Sequence, residues 1–169
     1  VPEMIWARPR SYADHWSVFH KDTTYDLKLD GNDAEGTGTA FGTPTSSVMP
    51  VTGGLNVSPQ TYIAYLFATV AGVSKVGSVA PTGSALNVDC GFSSGARFVL
   101  MKRTDSSGEW FVWDSVRGIV AGNDPYLYLD STSSETTTTD YIDPHSSGFT
   151  ITSSFYGSGS NFIFYAIAA

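Results

Sequence analysis

Cysteine is almost missing from this chain. Cys90 stands alone among 169 residues, so no internal disulfide can hold the fold, and its place in an apolar strand-like run reads as a buried thiol. Basic residues are also scarce, nine Lys and Arg against sixteen Asp and Glu for a net charge of -7. Phosphate binding needs clustered cations, and these are scattered, which excludes a nucleic-acid surface. No apolar run is long. The longest, Tyr62 to Val73, is too short to span a bilayer and reads as a buried strand, so no membrane insertion is expected. The Ala/Leu/Glu/Lys runs of helical proteins are missing too, while Ser, Thr and Gly are abundant and 14% of the residues are aromatic. That is the composition of an all-β protein with area enough for a core.

Catalytic signatures are equally sparse. The chain has no Gly-x-Ser-x-Gly elbow and no phosphate loop. His15, His20 and His145 do not fall in a spacing that puts two imidazoles on one metal, and they read as exposed loop or edge residues. No enzyme and no cofactor are expected from this inventory.

What the chain does contain is one stretch used twice. Met4-Ile5-Trp6-Ala7-Arg8 followed by Trp16-Ser17-Val18-Phe19-His20 matches Phe98-Val99-Leu100-Met101-Lys102 followed by Trp110-Phe111-Val112-Trp113-Asp114, at a constant offset of 94. Each is an apolar run, a polar turn and a second run led by Trp, the pattern of a hairpin. From Tyr25 to Thr69 the offset becomes 100, and 14 of the 45 ungapped pairs are identical, among them Leu27/Leu127, Asp30/Asp130, Pro44/Pro144 and Tyr65/Tyr165. Chance supplies roughly three or four. The sequence therefore reads as an internal duplication. The second copy carries Ser115 to Asp124 where the first has only Lys21 to Thr24.

The duplication divides the chain into a first repeat, 1–72, and a second, 73–169, which includes connector strands within 75–92. The expected fold is two related antiparallel β-sandwich units, jelly-roll-like, packed as one body. Expected strands cover Met4 to Arg8, Trp16 to Phe19, Tyr25 to Asp30 and Thr61 to Val70. Their second-copy counterparts are Phe98 to Arg103, Trp110 to Asp114, Tyr126 to Asp130 and Asn161 to Ala168. Thr61 to Val70 is apolar on both faces, which places it at the centre of a sheet. Nothing like the connector precedes the first copy, so its N-terminal strands are expected to lie upstream in a longer polypeptide or to be replaced by a neighbour.

The binding candidates are aromatic and polar residues in loops: Tyr12, and the 115–125 loop with Arg117, Asn123, Asp124 and Tyr126. Trp16 and Trp110 occupy equal positions in both copies and read as core. Asp30, Asp33 and Glu35 could offer oxygens to calcium, though turn capping by Asp is the commoner use and the second copy keeps only Asp130 and Glu135. No metal is assigned.

Taken together, Val-Pro-Glu-Met-Ile-Trp-Ala-Arg, His-Trp-Ser-Val-Phe-His-Lys, Thr-Tyr-Ile-Ala-Tyr-Leu-Phe-Ala, Cys-Gly-Phe-Ser-Ser-Gly-Ala-Arg-Phe-Val-Leu-Met-Lys-Arg-Thr-Asp and Trp-Asp-Ser-Val-Arg-Gly-Ile-Val-Ala-Gly-Asn-Asp-Pro-Tyr resemble a duplicated β-domain of bacteriophage tail-fibre-like and other virion appendage proteins. The resemblance runs through nearly the whole chain in the same order. It implies a structural or adhesion module of the virion, non-catalytic, often trimeric. The implied partners are other tail or appendage proteins and a bacterial surface glycan. Such domains have a strand pair containing Gly-Asn-Gly before the Pro-Glu-Met-Ile-Trp stretch, and this sequence does not. The competing functions are a carbohydrate-binding module, using loop aromatics, and a polysaccharide depolymerase, for which no carboxylate pair can be located.

Overall fold

The computed structural model describes residues 1–169 and is all-β. Twelve strands form three antiparallel sheets: β1 (Met4–Pro9), β2 (Ser17–His20), β3 (Leu27–Lys28), β4 (Tyr62–Phe67), β5 (Ser74–Val79), β6 (Leu86–Asp89), β7 (Ala96–Arg103), β8 (Trp110–Asp114), β9 (Leu127–Tyr128), β10 (Ile142–His145), β11 (Gly148–Ile151) and β12 (Phe162–Ala168). The orders are β3-β2-β1-β4, β5-β12-β7-β8-β9 and β10-β11-β6. The sole helical piece is a single 3-10 turn, Gly53–Leu55.

The two sequence copies adopt one strand order. Applying the offsets of 94 and 100 turns β3-β2-β1-β4 into β9-β8-β7-β12, and the residue register follows. Met4 faces His20 and Phe67 across the ladders, while Phe98 faces Asp114 and Ile167. Single bonds repeat as well. The Trp16 amide donates to Asp30 Oδ1 at 3.0 Å, and the Trp110 amide to Asp130 Oδ1 at 3.0 Å. These aspartates end the strands β3 and β9 by capturing an amide of the neighbouring strand's first turn.

Period-2 alternation explains the layering. Met4, Trp6, Val18 and Leu27 of the first unit, with Leu100, Trp110 and Ile163 of the second, belong to a shared apolar cluster that includes Val76 and Leu29. The four-stranded and five-stranded sheets thus pack face to face. On the far side of the five-stranded sheet, Val99, Met101, Phe111, Trp113, Phe162 and Phe164 meet Val88, Ile142, Phe149 and Ile151 of the three-stranded sheet in a core of 15 buried residues. Phe111 and Trp113 stack nearly parallel there, centroids 5.3 Å apart. The second unit is therefore a two-sheet sandwich.

The first unit has no matching second sheet. Its far side is covered by the irregular stretch 36–57, which contributes only the bridge Phe41 to Val51, and its private core holds four buried residues, Ile5, Ala7, Phe41 and Leu55. The stretch expected to run down the middle of a sheet, β4, lies at an edge instead. Its apolar residues on both faces match a central strand, but only β1 pairs with it.

The units are riveted together by polar contacts as well as by the shared cluster. Lys102 is fully buried, and its ammonium donates to the carbonyls of Asp33 (2.8 Å), Arg103 (2.9 Å) and Asn32 (3.4 Å). Trp110 Nε1 donates to the Lys28 carbonyl at 2.8 Å. Burial lowers the Lys102 pKa to about 8, against the pull of Asp130, Glu109 and Asp33.

Candidate functional site

The loop candidates turn out to be mostly interior. Asp124 is fully buried. Its carboxylate accepts the amides of Val120 (2.9 Å) and Ile142 (3.3 Å), tying the 115–125 loop to β10, and burial pushes its pKa up to about 6 despite those two bonds. Tyr126 is buried too, stacked on Tyr141 at 5.5 Å. Arg117 pairs with Asp114 and with Glu135 at 3.1 Å, and Asp114 also accepts the Val116 and Arg117 amides. Of the candidates in this loop, only Asn123 is exposed without a side-chain partner. The expected exposure of Asp124 and Tyr126 is corrected accordingly: both are buried, the ring in an aromatic cluster and the carboxylate on internal amides.

The carboxylates considered for calcium are each occupied by a different partner. Asp30 takes the Trp16 amide and His15 Nδ1 (3.2 Å), Glu35 takes the amides of Thr24 and Tyr25, and Asp33 lies 3.8 Å from Lys28. No group of three His, Cys, Asp or Glu side chains converges. Among the histidines, His20 is not an exposed edge residue but completely buried. Its Nδ1 accepts the Asp22 amide at 3.1 Å, and burial holds its pKa down at about 4. The hydroxyl–imidazole contact of the chain, Ser147 Oγ to His145 Nδ1 at 3.2 Å, closes the β10–β11 turn, where the same nitrogen also accepts the Ser147 amide.

Tyr12 stands elsewhere, on the rim of the first unit. Its hydroxyl donates to the Gly54 carbonyl at 3.1 Å, as does that of Tyr62 at 2.9 Å. Tyr62 begins β4 and leads to the feature that the sequence candidates missed. β4 presents one ladder edge with no partner, and Ile63, Tyr65 and Leu66 on it are 36%, 49% and 53% exposed. Leaving such side chains in water forgoes part of the ~1.5–3 kcal/mol that burial of each would contribute. Beside the edge opens a cavity of about 260 Å³ lined only by apolar residues: Ala7, Met49, Val51, Leu55, Tyr62, Ile63 and Ala64.

The second unit shows what this surface looks like when filled. The equivalents at the same offsets are Met101, Phe149, Ile151, Phe155, Phe162, Ile163 and Phe164, all buried. Over them lie β5, paired along β12, and β6, paired along β11. The first unit has smaller side chains at most of these places and neither covering strand.

A second, polar cleft of about 750 Å³ adjoins the other end of β4, with Glu3, Lys21, Thr23, Thr24, Tyr25 and Thr39 in its wall. It is open where the link Lys21 to Thr24 is short; in the second unit the longer loop packs Ile119 against the core. Asp26, also in this wall, has its pKa raised by burial, partly offset by bonds from the Ala40 amide and the Thr39 hydroxyl.

A free ladder edge, an apolar cavity and a hydroxyl-lined cleft thus all lie on the first unit. A model of one family matches residues 1–169, the entire chain. The chain belongs to the family described as "Domain of unknown function (DUF7483)". No curated protein and no solved structure matches it. In this chain the β4 edge of the first unit is open, whereas its counterpart β12 is paired on both sides.

Proposed function

We propose that this domain is a non-catalytic structural and adhesion module of a phage tail fibre or similar virion appendage, contributing to assembly and to attachment at the host surface. The observation that carries the reading is the unpaired β4 edge beside an empty apolar cavity. Sheet edges exposed in this way invite further strands, and a module meant to be joined to others has use for one. The two units share a continuous core and buried polar contacts, which suits a rigid segment that transmits position along an appendage. The resemblance of the sequence to virion appendage domains supports this location and a homotrimeric state.

Gold-labelled antibodies against the domain, applied to purified particles of the phage that encodes it, test the proposal. Label on tail fibres or other appendages supports it; protein confined to infected-cell lysate, with unlabelled particles, contradicts it. Light scattering on the isolated chain reports whether the trimer forms from this segment alone.

A second reading, a carbohydrate-binding module, is favoured by the polar cleft, where the Tyr25 ring stands beside the hydroxyls of Thr23, Thr24 and Thr39. It expects saturable binding of host surface glycan that Tyr25→Ala weakens by about tenfold or more, as loss of a stacking ring does.

A further inference from the structure

The internal duplication turns the second unit into a template for whatever completes the first. β5 runs antiparallel along β12 in the register Phe162↔Val79, Phe164↔Gly77, Tyr165↔Val76 and Ile167↔Ser74, and β6 follows along β11 with Phe149↔Val88 and Ile151↔Leu86. Shifted by 100, these positions are Tyr62, Ala64, Tyr65 and Phe67 on the open edge, and Met49 and Val51 on the cavity wall. We propose that the β4 edge and the cavity behind it form the docking site for a β-hairpin homologous to Ser74–Asp89, contributed by a further repeat of this unit. The hairpin of this chain is already committed to the second unit, where Val76 is fully buried in the cluster shared by both sheets.

The template also specifies how the docked hairpin must differ. Gly77 is required opposite Phe164, because a Cβ there would lie 2.7 Å from the ring. The first unit has Ala64 in place of that phenylalanine, and the space the ring would take is the cavity. The incoming strand therefore carries a bulky apolar residue opposite Ala64 and a β-branched one opposite Tyr65, the place that Val76 holds. Its second strand lies over Met49 and Val51. Main-chain bonds to β4 give the affinity, and the cavity gives the selectivity. This site rests on geometry within the chain and stands whether or not the domain belongs to a virion.

The test extends the full 169-residue chain with a second copy of residues 73–94 placed directly before Val1; the offset of 94 brings the graft into register. Amide exchange along Tyr62–Phe67 and the thermal midpoint are compared for the plain chain, the graft, and the graft with Gly77→Leu in the added copy only. The expected result is exchange at β4 slowed by about tenfold or more in the graft, a higher midpoint, and a further rise with leucine, although Gly77→Leu in the original hairpin lowers the midpoint. Unchanged β4 exchange in both grafts overturns the proposal. So does a plain chain that is already a dimer with protected β4 amides, since the edge would then belong to a second copy packed edge to edge. If leucine in the graft lowers the midpoint instead, the cavity is not the pocket for that side chain, and the proposal likewise falls.

Discussion

Phe164 occupies the space in which a side chain on Gly77 would begin: a Cβ there would meet its Cζ at 2.7 Å. This pair joins the hairpin of the second unit to its sheet. Gly77→Ala is expected to destabilise the chain by ~1–3 kcal/mol through overpacking. Removing the ring by Phe164→Leu should make the same change less costly, with a coupling of ~1 kcal/mol or more in a double-mutant cycle by urea denaturation. Strictly additive effects would mean that the two residues do not compete for space.

Lys102 connects the units with bonds to three carbonyls, two of them in the first unit's 31–36 loop. Lys102→Met keeps much of the stem but removes that donor, leaving the Asn32 carbonyl with the Gly108 amide alone. The expected cost is ~1–3 kcal/mol, accompanied by faster amide exchange at Glu35 and Gly108, whose amides bond across the same junction. Stability equal to that of the wild type would show that water replaces the ammonium easily.

Two buried groups act in opposite directions with pH. His20 has its pKa lowered to about 4 from 6.5, so the unfolded chain binds more protons between those values, and the stability it brings is present above pH 6.5 and lost as pH falls to about 4. Asp124 has its pKa raised from 3.8 to about 6. There the folded chain binds more protons, and stability is lost as pH rises from 3.8 to 6. Each effect is on the order of 3 kcal/mol at full extent. Relative to wild type, His20→Gln should lose stability least at low pH, and Asp124→Asn should lose it least at neutral pH. Denaturation midpoints between pH 4 and 7 check both, and parallel profiles for the three proteins would contradict the assignment.

Cys90 is buried and its thiol is pushed up to about 12 by that burial. Little thiolate exists at neutral pH, so a disulfide reagent should react with the folded chain at the rate of global opening and stoichiometrically after unfolding. Rapid labelling of the native protein would place this side chain nearer solvent than the fold does.

The legible part of the fold was that which both copies state twice. Trp16 and Trp110, Asp30 and Asp130, and the alternation at Leu27 announced the repeated hairpins, because local period and repeated identity carry that information without reference to distant neighbours, although the strands expected over Tyr25 to Asp30 and Tyr126 to Asp130 form only as Leu27–Lys28 and Leu127–Tyr128. The edge position of β4 was not legible. Ile63, Tyr65 and Leu66 have the pattern of a central strand, and whether a partner covers them depends on another segment. The available signal was the exchange of Phe164 for Ala64. Asp124 and Tyr126 were misread as exposed because a polar loop sequence resembles a surface one until its amides are seen to need internal acceptors. The burial of His20 was not legible either: its equivalent in the second copy is Asp114, a residue type that gives no hint of an interior position.

The first unit is open where the second is closed. Residue-resolved amide exchange of the isolated chain measures this directly by comparing β4 with its equivalent, β12. Amides of Tyr62–Phe67 facing away from β1 are expected to exchange much faster than those of Phe162–Ala168, a strand paired on both sides by β5 and β7. Equal, strong protection of both strands would contradict it, and would mean that the edge is already covered.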